Sequence, residues 1–143
     1  MYATYDFYTG PNWYGTAIVS ADFPRLALRA SDFLDYYTRG KAAQVPPEDT
    51  ATVTALGKAC CAVAEAIQSD ERVQALKDKS TSAGLAGSGE LKSESVGSYS
   101  VSYAIAGDYD RGGSAAAAND RRAAYAVIAR EYLANTGLLY RGC

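Results

Sequence analysis

The sequence predicts a mainly α-helical protein, a small bundle of three to four helices with a protruding β-hairpin between the second and last long helices. Apolar residues recur every three to four positions in three segments, which is the spacing of one buried helix face. Between the second and third of these segments the period becomes two, as in a strand. With 143 residues, 48% of them hydrophobic and 21% charged, the chain is long and apolar enough for one folded domain over residues 1–143.

The first segment, residues 1–20, differs from the rest because it contains six aromatic side chains and no lasting period. Gly10, Pro11 and Gly15 supply turn signals among them. We expect an N-terminal arm that is extended or forms a short helical turn. Its aromatic rings are predicted to pack on the domain, with half of them left for a neighbouring molecule.

The first long helix is marked at both ends. Asp22 offers an acceptor side chain at the N-cap, Pro24 is tolerated in the first turn, and Gly40 stands where a helix would end. We expect residues 22–79 to contain this helix and the next one. The predicted buried face of the first consists of Phe23, Leu26, Ala27, Ala30, Phe33, Leu34 and Tyr37.

A pair of prolines, Pro46 and Pro47, separates the second helix from the first. Glu48 and Asp49 then place negative charge in its first turn, as the helix dipole favours. Val73 and Leu76 are out of phase with the rest, which predicts a bend or a separate short helix ending near residue 79. The predicted buried face consists of Val53, Leu56, Cys60, Val63, Ala64 and Ile67, with Cys60 as a small buried hydrophobe.

A linker and the hairpin come next. Residues 80–89 are mostly Ser, Gly and Ala, which predicts a flexible connection. Residues 90–105 alternate with a period of two on both sides of Val96-Gly97, and serine occupies most of one face. Because a lone two-stranded hairpin is marginal in water, this one needs a supporting surface. Two interpretations stay open: the hairpin docks on another protein chain, or it folds back on its own helices.

The last predicted helix covers residues 114–136, and Thr136-Gly137 ends it. Residues 137–143 form a tail in which Leu138, Leu139 and Tyr140 are apolar. An apolar tail outside a finished helix needs a surface to cover it. The predicted buried face of the helix consists of Ala117, Ala124, Tyr125, Ile128 and Tyr132, with Val127 and Leu133 beside it.

Composition argues against catalysis and against tight binding of nucleic acid. The chain has no histidine, the usual base partner of Ser or Cys and a common zinc ligand, and its three cysteines lack metal-site spacing. We therefore expect no enzyme activity, no catalytic residues, no metal and no cofactor. The net charge of −2 gives no basic surface for DNA. No membrane-spanning run, secretion signal or disulfide framework is evident, so we expect a soluble chain in a reducing compartment.

Four motifs together resemble a known family. The first helix opens with Asp22-Phe23-x-x-Leu26-x-x-Arg29-Ala30-Ser31, and the second carries Cys61-x-x-Ala64-Glu65. The hairpin reads SESVGSYSVSY over residues 93–103, and the chain ends with TGLLYRG over residues 136–142. In this combination the chain resembles the head-tail connector proteins, or neck adaptors, of tailed phages and Gram-positive prophages.

The resemblance implies a structural protein of the virion neck. Such proteins form a ring of about twelve copies below the portal, extend the DNA channel, and offer a platform to the stopper or tail-completion protein. Double-stranded DNA passes through without being held, and no membrane is involved. An alternative is a monomeric helical adaptor that binds a host or phage protein through its hairpin.

The resemblance also assigns two sets of site residues. The hairpin set would contact other subunits or the next neck ring, and it consists of Lys92, Glu94, Tyr99, Val101 and Tyr103. The tail set would bind the portal protein, and it consists of Leu138, Leu139, Tyr140 and Arg141. A tail folded back on its own bundle would show the same residues, so that interpretation stays open.

Overall fold

A computed structural model describes residues 1–85 and 113–140. In order, the described helices are α1 (Tyr5–Thr9), α2 (Phe23–Tyr37), a 3-10 helix (Ala42–Gln44), α3 (Thr50–Leu85) and α4 (Gly113–Leu133). The part of the chain that the structure describes is mainly helical and contains no β-strand.

The predicted fold class, a helical bundle with a protruding β-hairpin, is therefore wrong as a description of this structure. Residues 90–105, on which the hairpin was predicted, lie outside the described residues. The prediction depended on a period of two alone. Neither face of the proposed hairpin was a complete core face, so the pattern supplied no burial to stabilise two isolated strands.

The core forms around α3, which packs against α2 on one side and α4 on another. Glu65 and Tyr132 both meet the Trp13 side chain, whereas Asp70 is bonded to Tyr125, so α3 and α4 run antiparallel. The fully buried aliphatic and aromatic side chains come from the arm and all three long helices. The larger ones are Tyr8, Ile18, Phe23, Leu26, Leu34, Leu56, Val63 and Leu133.

Helix α2 confirms its predicted start and five of the seven residues of its predicted buried face, whereas Phe33 and Tyr37 are only half-buried and the predicted cap is wrong. The helix begins at Phe23 with a proline in its first turn, but Asp22 makes no capping hydrogen bond. At the start of α3 the Asp49 carboxylate accepts a hydrogen bond from the backbone N–H of Thr52, at 3.1 Å. The Thr52 side chain first, and this backbone bond second, lower the pKa of Asp49. Asp49 thus stabilises the helix start as a cap, in addition to its charge.

Helix α3 is one continuous helix that passes beyond the core. The predicted buried face is confirmed from Leu56 to Ile67, whereas Val53 is exposed. Val73 and Leu76 are also exposed, and the helix continues to Leu85 instead of ending near residue 79. By length and composition Thr50–Lys79 would suffice to cross a membrane, but half of its most apolar stretch is buried in the bundle. We therefore interpret α3 as the central core helix.

Helix α4 buries a face shifted from the predicted one. Ala129 and Leu133 are fully buried, while Tyr125 is half-buried. The predicted positions Ala117 and Ala124 are exposed. Residues 116–124 of α4 are thus exposed to solvent.

The N-terminal arm is fixed by a network around one buried tyrosine. The Tyr8 hydroxyl accepts hydrogen bonds from the backbone N–H groups of Ala17 and Ile18, at 3.0 and 3.1 Å, and donates one to Glu65 at 2.9 Å. The Trp13 indole N–H also donates to Glu65, at 3.1 Å. The arm therefore contains a short helical turn whose rings pack on the domain, as predicted. Five of its six rings do so, and not the predicted half, because Tyr14 is the exposed one.

Candidate functional site

The chain after α4 turns back towards the bundle. The Thr136 hydroxyl donates to the carbonyl of Leu133 at 2.8 Å, and Gly137 adopts a φ of 73°, which glycine tolerates well. The backbone N–H of Tyr140 then donates to the Gly137 carbonyl at 3.1 Å. These bonds close a compact turn that directs residues 138–140 onto the end of α2.

The end of α2 provides the other wall of this site. The Thr38 hydroxyl donates to the Leu34 carbonyl at 2.8 Å and accepts from the N–H of Ala42 at 3.1 Å. Arg39 and Gly40 both have positive φ values, 56° and 77°. The backbone therefore reverses sharply here, and it places Lys41 so that its ammonium donates a hydrogen bond to the Tyr140 carbonyl.

A cavity of about 140 Å³ lies between the two walls. Leu138 and Leu139 are half-buried against the core, whereas the Tyr140 side chain is 69% exposed. Arg39 and Lys41 supply two cations to the lining, which contains no carboxylate among the residues that the structure describes. We call this surface the tail site; its lining is Tyr37, Thr38, Arg39, Lys41, Leu138, Leu139 and Tyr140.

Of the two predicted sets of site residues, the structure describes only part of the tail set. The hairpin set, Lys92, Glu94, Tyr99, Val101 and Tyr103, lies outside the described residues, as does Arg141 of the tail set. The structure brings the other three tail residues together in the tail site. Two of them partly cover their own bundle, whereas Tyr140 is mostly exposed. The portal role of this tail stays a prediction.

The two buried cysteine thiols are protonated, and so unreactive, at neutral pH. Cys60 and Cys61 are fully buried, so Cys60 is confirmed as a small buried hydrophobe. Burial raises the pKa of both thiols, that of Cys61 to about 12, so both stay protonated at neutral pH. Within residues 1–85 and 113–140, no group of three His, Cys, Asp or Glu side chains is placed to hold a metal ion.

Sequence reasoning missed the α2 half of the tail site. Arg39 and Lys41 flank the glycine that was recognised only as a helix stop. A positive charge on either side of a predicted helix end is a usable signal, since cations near a helix C-terminus interact well with its dipole. Their meeting with the tail could not be predicted, because about 100 residues separate the two walls.

No protein-family model, no curated protein and no solved structure matches this chain. The resemblance to head-tail connectors therefore depends on the four sequence motifs alone.

Proposed function

We propose that this chain is a structural subunit of a virion neck. Copies would form a ring of about twelve below the portal, extend the DNA channel, and join the head to the stopper or tail. The observation that carries the proposal is the tail site. The ending TGLLYRG, which resembles the family, begins there, and an exposed tyrosine lies beside a cavity lined by two cations.

The tail site has the composition of an interface rather than of a finished surface. Tyr140 offers an apolar ring with a polar tip, and Arg39 and Lys41 lie beside it. Aromatic residues and arginine are enriched at protein interfaces, and the charges at a rim set orientation more than affinity. The matching surface on a portal protein would be an apolar pocket with carboxylates at its edge.

The charge of the chain suits a channel through which DNA moves. A net charge of −2 gives no strong attraction for phosphates. Two arginines of α2, Arg25 and Arg29, are moreover engaged by the Glu71 carboxylate. A wall that held DNA firmly would slow its passage, so the balance of charge supports a passive channel role.

The test is binding of the purified chain to purified portal rings, followed by co-sedimentation. Tyr140→Ala and Lys41→Glu should each weaken binding by about tenfold or more, the loss expected of an interface anchor. Val127→Ala and Arg121→Glu are matched controls, because both side chains are exposed on α4 and do not line the tail site. Circular dichroism should show unchanged helix content in all four variants.

A stronger variant removes residues 138–143 and should abolish portal binding and the joining of heads to tails in infected cells. The half-buried leucines make some loss of stability expected, so the point variants decide the assignment. Portal binding that survives Tyr140→Ala and Lys41→Glu together would overturn the proposal.

A further inference from the structure

The residue that follows the C-cap of α2 has a backbone conformation that does not suit its side chain. The C-cap is Thr38, and Arg39 after it has a φ of 56°. Helices that end in this left-handed conformation usually have glycine there, because a Cβ atom destabilises it. The Arg39 side chain is exposed, so it adds nothing to the core. The fold itself therefore does not explain an arginine at this position.

The Arg39 side chain is also not needed to finish the helix. The backbone N–H of Gly40 donates to the Asp35 carbonyl at 2.8 Å, and that of Arg39 donates to the Tyr36 carbonyl at 3.2 Å. These are the two backbone bonds of the Schellman motif, which satisfy the last carbonyls of a helix. The nearest carboxylate along the chain, that of Asp35, accepts the Tyr2 hydroxyl. Among the residues that the structure describes, the Arg39 guanidinium has neither a hydrogen bond nor an ion pair.

A second cation lines the same cavity and is held in place. The Lys41 ammonium donates a hydrogen bond to the Tyr140 carbonyl, which fixes the position of the charge without neutralising it. An ammonium has three donors, so it keeps others for a ligand. The lining has no carboxylate within the described part of the chain. The tail site thus has two positive charges that its own chain does not balance.

The size and the walls of the cavity limit what could enter it. Its volume is about 140 Å³. A water molecule takes up about 30 Å³ of the liquid, so the cavity has room for several waters or for one short side chain. Leu138, Leu139 and Tyr140 provide apolar surface along one wall, opposite the two cations. A side chain with a short apolar stem and a terminal carboxylate matches both parts of this lining.

The other common partner of arginine, a nucleic-acid phosphate, matches the site less well. Proteins that hold nucleic acid use a row or patch of cations, because each strand presents a series of phosphates. Within the described residues, the lining of the tail site has only Arg39 and Lys41 as cations, and the chain as a whole has a net charge of −2. The planar fork of an arginine also fits the two oxygens of a carboxylate. The observations therefore favour a carboxylate of a protein.

We propose that the cavity of the tail site binds one carboxylate side chain of a partner protein. The Arg39 guanidinium donates two parallel hydrogen bonds to the carboxylate, and the Lys41 ammonium adds a second charge. The partner's identity as a portal protein rests on the function proposed above, and the inference names the group on that partner that the tail site recognises. Binding of the carboxylate itself is a property of the purified chain.

The experiment titrates the isotope-labelled chain with a capped pentapeptide that has one glutamate among alanines, and follows backbone amides by NMR at constant ionic strength. The amides of Arg39, Lys41 and Tyr140 should shift in a saturable way, with a dissociation constant on the order of 1 mM. The same peptide with glutamine is the matched control and should bind about tenfold more weakly or less. Inorganic phosphate should also bind more weakly than the glutamate peptide, since it cannot contact the apolar wall.

Two variants of Arg39 separate a binding role from a structural one. Arg39→Asn removes the guanidinium and keeps a residue that tolerates the left-handed conformation, so it should weaken binding of the glutamate peptide about tenfold. Arg121→Asn is the control outside the tail site and should leave binding unchanged. Arg39→Gly should weaken binding equally and raise the midpoint of thermal unfolding by about 2–4 °C, because glycine suits this φ. An arginine kept for stability would give the opposite shift.

Four results would each overturn the proposal. They are equal binding of the glutamate and glutamine peptides, tighter binding of phosphate than of the glutamate peptide, unchanged binding in Arg39→Asn, and a lowered thermal midpoint in Arg39→Gly.

These outcomes are separable from those of the neck assignment. If the peptide results hold while Tyr140→Ala and Lys41→Glu together leave portal binding intact, the function fails and the carboxylate site stands. If the two peptides bind alike while the same two variants abolish portal binding, the carboxylate site fails and the function stands.

Discussion

The two ends of the described chain are both short, contain tyrosine and pack against the same bundle, yet they are fixed in different ways. The arm inserts Tyr8 completely and bonds its hydroxyl to three partners. The tail covers the bundle with half-buried Leu138 and Leu139 and leaves Tyr140 exposed. Burial together with satisfied polar atoms, and not aromatic content, therefore makes a terminal segment part of the fold.

The largest expected difference lies between the two tyrosines. Tyr8→Ala should lower the free energy of unfolding by about 3–5 kcal/mol, because it removes a fully buried ring and leaves its partners unpaired. Tyr140→Ala should change it by less than about 0.5 kcal/mol, since the ring is mostly in solvent. Urea unfolding followed by circular dichroism measures both. Equal losses would remove the distinction between arm and tail.

The next effect isolates the polar part of the arm. Glu65→Leu should cost about 1–3 kcal/mol, because the Tyr8 hydroxyl and the Trp13 indole both lose their acceptor. Glu131→Leu is the control, since Glu131 is exposed on α4. The fluorescence of Trp13, the only tryptophan, reports whether the arm loosens before the bundle unfolds. An unchanged Trp13 signal with unchanged stability would show that the carboxylate does not hold the arm.

A smaller effect is expected in the tail. Leu139→Ala should cost about 1 kcal/mol, because the side chain is only half-buried and a fully buried leucine contributes about 1.5–3 kcal/mol. Limited proteolysis should cut the tail faster in this variant while the helix content stays constant. A loss as large as that of Tyr8→Ala would place the tail inside the core and weaken its assignment as a docking segment.

The smallest effect is expected at a surface ion pair, which lies outside both terminal segments. Arg25 holds Glu71 with two hydrogen bonds of 2.8 Å, and with Arg29 it lowers the pKa of Glu71 from 4.5. A carboxyl whose pKa is lower in the folded state stabilises the fold above its unfolded value, and this contribution disappears as the pH falls through the folded pKa.

Because Glu71 is partly solvated, we expect Glu71→Gln to cost under about 1 kcal/mol at pH 7. The difference from the unaltered chain should shrink towards zero as the pH falls below 4.5 and through the lower folded pKa of Glu71. Urea titrations at a series of pH values measure it. A difference that grows as the pH falls would contradict the assigned direction of the pKa shift.

Local sequence signals predicted the arm, α2 and the buried part of α3 well. The Phe23 start of α2, the apolar face from Leu56 to Ile67, and the packing of the arm all follow from spacing and turn residues. The prediction was poorer for α4, where Ala124 was placed in the core but is exposed. Alanine is compatible with both the buried and the exposed side of a helix, so the spacing of the alanines did not show which face of α4 is buried. The hairpin had the same weakness, since its period lacked a clear apolar face.

Local spacing along the chain was enough to predict most of the helices and their apolar faces, because both depend on neighbours within a few positions. The packing of the helices set what those faces meet: Lys41 lies against the tail, Glu65 accepts the Tyr8 hydrogen bond, and the Phe33 and Tyr125 rings meet edge to face. These pairs are separated by 57 to 99 residues or lie on different helices. Contacts of that range depend on how whole helices pack, and no local pattern encodes the packing.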